Sequence, residues 1–362
     1  MKRAPRAASH RVMTLRPWML AIVMWASAPA ALVFPWSVGA VEAAAPARGV
    51  IAVDSVGIPV RHLERSIAFY TQVLHFKVVA DREVTGEAYA HLLGVPDPRL
   101  REVRLRLGGE YIELMRMITP LGSPLPANLH SNDFAFEHVA IVVSDMEHAY
   151  RVLRRHHVIL VSSSPQVLPA WNAKVAGIAA VYFRDPDGNF LELLQFPRGK
   201  GAPKWQSRAA LFLGIDHTAI VVRDTATSLA YYSGLLGFRV AGGSVNSGIE
   251  QERLSAVRGA RVRITSLRVA QGPGIELLEY LVPRTGRAIP EDSRASDAWY
   301  WQVNMIAPAL DRLYAQAHFR HERVVSSGVV QLPALPLGFE RGVVLRDPDG
   351  HADALFERVP LR

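Results

Sequence analysis

Two stretches decide the reading of this chain: DSVGIPVRHLERSIAFY, Asp54–Tyr70, and DHTAIVVRDTATSLAYY, Asp216–Tyr232. They align without a gap, 162 residues apart, and a second landmark keeps that spacing, the pentapeptide RDPDG at Arg184–Gly188 and again at Arg346–Gly350. Two landmarks far apart in each half with one common offset mean that the halves are duplicates. Each half divides again, because HVAIVV at His138–Val143 resembles HTAIVV at His217–Val222. First strands are therefore expected near residues 54, 137, 216 and 301, each followed by a helix. In the third repeat Leu229, Tyr232 and Leu236 recur at helical spacing, Asp224 and Thr225 offer an N-cap, and Gly237 is the expected stop. Strands such as Val262–Val269 then alternate with period two. In the RDPDG runs Pro presets φ and Gly accepts positive φ, so each is a tight turn joining the last two strands of its repeat.

The expected class is α+β: four βαβββ modules at about 50–118, 134–197, 214–282 and 298–358. Paired in chain order, they make a first domain at 50–197, a linker at 198–213 and a second domain at 214–358. Stretches rich in Pro, Gly and Ser at 118–133, 197–210 and 282–297 separate the modules.

Composition narrows the chemistry. The 362 residues are 49% hydrophobic and 20% charged, a globular balance, and contain no cysteine. Disulfides, thiolate metal sites and cysteine nucleophiles are thereby excluded. Residues 1–45 read as a signal peptide: Lys2, Arg3, Arg6, Arg11 and Arg16, then an apolar run from Trp18 to Phe34 broken by Pro29, then small residues around Ala40 and Ala43–Ala45. Export to the periplasm or beyond is expected, with no stable membrane span after cleavage. That segment holds five cations and one acid, so its loss leaves +4 of the formal +8. The remaining basic residues form no block, which argues against nucleic acid as a partner.

The strand-one pattern with His138 and His217, the Ser-x-Ala-aromatic-Tyr helices, Leu236-Gly-Phe238 and the two RDPDG turns together resemble the vicinal oxygen chelate superfamily: glyoxalase I, extradiol dioxygenases, and fosfomycin- and bleomycin-resistance proteins. The resemblance covers about residues 50–357. It implies paired modules whose sheets curl into a cleft, each module giving one candidate metal ligand from its first strand and one from its last. Carried over position by position, the first domain offers Ser55, Glu113, His138 and Glu192. The second offers His217, Glu276 and Gln302 (Tyr300 being the alternative to Gln302), with Ala354 where a fourth ligand would stand.

The resemblance thus implies a divalent metal (Zn, Ni, Mn, Mg or Fe) held by Glu113, His138 and Glu192, Ser55 or water completing the shell, with Glu113 and Glu192 also shuttling a proton. His217, Glu276 and Gln302 would form a weaker second site. Other readings stay open at single residues: Glu113 paired with Arg104 or Arg106, His138 as a hydrogen-bonded strand histidine. His351, after a turn, has no assigned role. The implied activity is a metal-dependent glyoxalase-like lyase or isomerase acting on a small molecule with vicinal oxygens. The alternative is a non-catalytic, small-molecule-sequestering protein of the bleomycin-resistance type. An extradiol dioxygenase ranks lower, since neither expected domain offers two histidines with one carboxylate.

Overall fold

The computed structural model describes residues 49–333 and 338–358; the expected signal peptide lies outside the described residues. Module one comprises β1 (Ala52–Pro59), α1 (Leu63–Gln72), β2 (Lys77–Thr85), α2 (Glu87–Leu93), β3 (Arg99–Leu107) and β4 (Glu110–Thr119). Module two follows with β5 (Glu137–Val143), α3 (Met146–Arg155), β6 (Gln166–Val167), β7 (Ala179–Arg184) and β8 (Phe190–Gln195). Module three holds β9 (Phe212–Val221), α4 (Thr225–Tyr232), β10 (Arg239–Asn246), α5 (Ile249–Ser255), β11 (Arg261–Arg268) and β12 (Gly274–Val282). Module four holds β13 (Gln302–Ile306), α6 (Leu310–Phe319), β14 (Arg323–Val324), β15 (Val330–Gln331), β16 (Phe339–Arg346) and β17 (Ala352–Arg358).

Local chemistry sets most of these elements as expected, although modules one and three carry a second helix, α2 and α5, that the βαβββ pattern did not include. Asp224 caps α4 by accepting from Thr227 N at 2.8 Å, and Asp145 caps α3 through His148 N. The helix α4 stops at Tyr232, however, and Gly237, at φ +84°, turns the chain into β10 instead of capping the helix. Gly188 and Gly350 take φ +94° and +103° in the two RDPDG turns, where the first Asp accepts from backbone N–H groups.

The four modules build two curled sheets, ordered β10-β11-β12-β9-β5-β8-β7-β6 and β14-β16-β17-β13-β1-β4-β3-β2. This corrects the expectation that modules pair in chain order. The backbone pairs module two with three, β5 running antiparallel to β9, and module one with four, β1 antiparallel to β13. What joins modules in chain order is side-chain packing. Val139, Ile141, Leu191 and Leu193 of module two share one core with Val56, Ile58, Ile112 and Leu114 of module one. Ile220, Ile275 and Leu277 share another with Val303, Met305 and Leu355. Alternation along each strand therefore sends one set of residues into a core within a half and the other set into a concave cleft that spans the halves.

The same clasp closes both sheets. Ser162 Oγ donates to Leu254 O at 2.6 Å and accepts from Tyr182 N at 2.7 Å. Ser326 Oγ repeats this with Leu92 O and Val344 N. Among the described residues no helix is long and apolar enough to cross a membrane.

Candidate metal centre

The cleft between modules two and three has its floor on β8, β5, β9 and β12. Ala140 of β5 lies between Glu192 of β8 and His217 of β9, while Ala219 of β9 lies between His138 of β5 and Glu276 of β12. Two alanines at the centre keep the floor low, and four side chains rise around them. Glu192 Oε2 is 3.2 Å from His138 Nε2 and 3.6 Å from His217 Nε2, and Glu276 Oε2 is 3.4 Å from His217 Nε2. The ligand atoms of His138, Glu192 and His217 all lie within 4.8 Å of one another.

Surrounding groups orient the set. Asp216 Oδ2 accepts from His217 Nδ1 at 3.0 Å, leaving Nε2 to face the cleft. Asp216 is itself held by Trp205 Nε1 at 2.8 Å and Arg268 Nη2 at 2.7 Å. Trp205 belongs to a 3₁₀ turn, Pro203–Gln206, in the inter-half linker, so the linker forms part of the cleft wall. Ser266 Oγ donates to Glu276 Oε1 at 2.5 Å. Burial opposes protonation of His217, but Glu276, Asp216 and Glu192 prevail and push it up to about 9. Burial raises the Asp216 carboxyl, yet His217, Arg268 and Trp205 hold it well below the usual range.

This donor set fits a divalent cation. Among the described residues neither ring nitrogen of His138, both buried, makes a hydrogen bond of good geometry, the 3.2 Å approach to Glu192 included, a cost that a ligand bond removes. Two imidazoles and two carboxylates supply mixed nitrogen and oxygen donors and two negative charges. The Asp216–His217 contact is the carboxylate–histidine support usual behind a metal-bound imidazole. The expectation of a histidine merely hydrogen-bonded within its strand does not hold for His138.

The cleft between modules one and four collects the other candidates. Ser55 Oγ and Arg104 Nη1 donate to Glu113 Oε1 at 3.2 and 2.9 Å. Asn304 Nδ2 donates to Ser55 Oγ at 3.0 Å, and Gln302 Nε2 to Asn304 Oδ1 at 2.6 Å. Gln302, not Tyr300, takes the ligand position, since Gln302 pairs with Ala352 and Asn304 with Ala354. Arg104 faces Glu113 across β3–β4 as Ser266 faces Glu276 across β11–β12, so a guanidinium stands where the other cleft is open. Leu92, Leu93, Phe339 and Phe356 pack the rest, leaving a cavity of about 20 Å³ against about 820 Å³ in the cleft between modules two and three.

The structure thus does not bring Glu113, Ser55, His138 and Glu192 together. It brings together His138, Glu192, His217 and Glu276, because the first strands of modules two and three are neighbours. Glu113 pairs with Arg104, the alternative named for it, and Gln302 lies apart from His217 and Glu276. The pairing of two histidines with carboxylates, expected in neither domain, is present once the cleft spans the halves. Sequence reading missed Asp216, Ser266, Trp205 and Asn304. The duplicated Asp54 and Asp216, each just before a ligand position, was a signal for the first of these.

A curled-sheet protein with one open, metal-competent cleft and one closed cleft is the class that fold and site define. The chain belongs to the Glyoxalase/Bleomycin resistance protein/Dioxygenase superfamily, whose profile matches residues 52–193 and 214–352. It is 30% identical over 156 residues to the 2-epi-5-epi-valiolone epimerase of an Actinomyces species, covering 42% of this chain and 82% of that protein. In structure it is similar to glyoxalase I from Zea mays, with TM-score 0.55, 16% identity and coverage of 84% and 92% of the two chains. A variant of the same maize enzyme aligns with TM-score 0.57 and 14% identity, covering 84% and 93%. At these identities the structural likeness speaks for the fold alone.

Proposed function

We propose that this protein is an exported, divalent-metal-dependent isomerase or lyase of the glyoxalase type, acting on a small molecule with vicinal oxygens. The observation that carries the reading is the convergence of His138, Glu192, His217 and Glu276 on one open cleft. The metal, one of Zn, Ni, Mn, Mg or Fe, would be held by these four side chains, and when bound it supplies Lewis-acid stabilisation of charge developing on the substrate's adjacent oxygens. Glu192 and Glu276 sit on β8 and β12, the strands that flank the two histidine strands β5 and β9. An ionised carboxylate on one flank can take a proton from a carbon beside a carbonyl, and a protonated carboxyl on the other can deliver its own proton to the opposite face, which inverts that centre and leaves the two protonation states exchanged until solvent resets them. The 30%-identical relative named as an epimerase supports this direction. Glutathione adducts fit poorly, because Arg268 and Lys204, two cations lining the cleft, are committed to Asp216 and Glu110.

The test joins metal analysis with solvent exchange. The protein should hold one divalent metal per chain and wash deuterium from D₂O into the carbon beside the carbonyl of an α-hydroxyketone, read by NMR. Ligand binding without metal and without exchange would favour the sequestering alternative.

A further inference from the structure

Four side chains of the cleft hold the metal reading; the rest of its wall bears on what else binds there. At about 820 Å³ the cleft is in the range of sites for substantial organic ligands and far exceeds what a three-carbon dicarbonyl fills. Its polar wall comes from module three. Gln251 of α5 lines the cleft with 3% of its surface exposed, and among the described residues its Oε1 has no hydrogen-bond partner. An amide oxygen buried in that state has lost its water without a replacement, and a bound hydroxyl donor would supply one. Asn246 at the end of β10 is also buried. Its Oδ1 accepts from Asn172 Nδ2 and Ser244 Oγ, both at 3.0 Å, which fixes the amide orientation and leaves Nδ2 as a donor toward the cleft. Between them and the floor, a Cβ at Gly242 would meet nothing within 4 Å, so the wall there is bare backbone with open space before it.

Charge narrows the class further. Arg268 spends Nη1 and Nη2 on Asp216, and Lys204 binds Glu110 at 2.5 Å. Lys174, a further lining cation, is exposed. Among the described residues the interior therefore offers amides and hydroxyls but no uncommitted Lys or Arg side chain to meet a phosphate or a second carboxylate. Facing them, Leu168, Leu194 and Phe196 give an apolar wall suited to the C–H face of a carbon skeleton.

We infer that the substrate is an uncharged polyhydroxylated molecule of the sugar or cyclitol class, its distal hydroxyls read by Gln251 and Asn246. This rests on the metal-centred reading above, which places the vicinal oxygens at the floor. The probes are 2-keto-myo-inositol as a neutral ketocyclitol and fructose 6-phosphate as its charged counterpart. Binding to the metal-loaded full chain is measured by calorimetry, with metal content assayed in every variant. The ketocyclitol should bind, and its affinity should fall at least tenfold in Gln251→Leu and in Asn246→Asp with metal content unchanged, while Lys174→Ala leaves it intact. The two variants lie on different elements, so misfolding of one leaves the other to decide. Tighter binding of the phosphate with dependence on Lys174, no binding of the ketocyclitol, or indifference to both variants overturns the inference. Loss of metal with ketocyclitol binding preserved overturns the metal reading alone.

Discussion

His138 and His217 stand on adjacent antiparallel strands with ring centroids 5.7 Å apart, though they come from different halves of the duplicated chain. On the metal-centred reading proposed above, both halves contribute to a single centre. His138→Ala and His217→Ala should each abolish tight metal binding, and Glu113→Ala should leave it unchanged. Ser266→Arg, which copies the Arg104 arrangement of the closed cleft, should abolish it too. Metal titration of the four variants checks this; tight binding that survives either histidine change would defeat the assignment. Glu113→Ala should instead cost about 1–3 kcal/mol of stability, because Ser55 and Asn304 lose their acceptor in a buried network.

Asp216 acts through His217. Asp216→Asn keeps the shape but removes the charge that fixes the imidazole with Nε2 toward the cleft. Loss of such a support commonly lowers metal affinity about 10–100-fold. Trp205→Phe removes one of the bonds holding Asp216 and should give a smaller loss in the same direction. Competition against a chelator of known affinity measures both, and an Asp216→Asn protein with wild-type affinity would show that the contact does not orient the ligand.

Much of this was legible in the sequence, and the missing part has one cause. The 162-residue offset located the modules, and the family resemblance, with period two in the last strands, picked out one residue of each first and last strand, so that His138, Glu192, His217 and Glu276 line the open cleft and Ser55, Glu113 and Gln302 fall in the closed one. Neither signal says which first strand lies beside which. A strand buried on both faces, as β5 is, carries no pattern of its own that selects β1 or β9 as its neighbour. In the closed cleft Glu113 accepts from Arg104 within module one and from Asn304 across modules one and four. The Asn304–Glu113 contact joins residues 191 apart in the chain and leaves no local pattern.

The serine clasps give a stability prediction. Ser162→Ala leaves Leu254 O and Tyr182 N, both at buried positions, without their partner, at a cost of about 1–3 kcal/mol. Ser326→Ala should cost a similar amount in the closed cleft. Only Ser162→Ala should also weaken ligand binding, since Leu254 and Tyr182 line the open cleft. Denaturant unfolding and calorimetry separate the two effects; equal binding losses in both variants would contradict the division of labour between the clefts.

Export is open to a direct measurement. The basic, apolar and small-residue order of residues 1–45 leads to a mature N-terminus between about Val41 and Pro46. Intact-mass analysis of the protein from a secreting host should find it there. Met1 retained on protein from the cytoplasm of that host would overturn the proposal.

His351 supplies the pH prediction. Its Nδ1 meets Asp347 Oδ2 at 2.9 Å and its Nε2 meets Phe134 O at 2.8 Å, so both ring nitrogens face acceptors and the imidazolium is the favoured form. Burial works against that charge, but Asp347, Glu137 and Asp349 outweigh it and push the ring up to about 10. In the unfolded chain a histidine titrates near 6.5, about. A folded value above the unfolded one stabilises fully at low pH: the contribution is complete below about 6.5, declines as pH rises, and is gone once pH passes about 10. In His351→Gln this dependence disappears, while most other titrating groups are common to both proteins and cancel in the comparison. The stability gap between wild type and variant, from denaturant unfolding, should therefore be widest near pH 6 and narrow steadily toward pH 10. A gap that stays constant across that range would mean that His351 is held as the neutral ring and that its contacts with Asp347 and Phe134 carry no proton linkage.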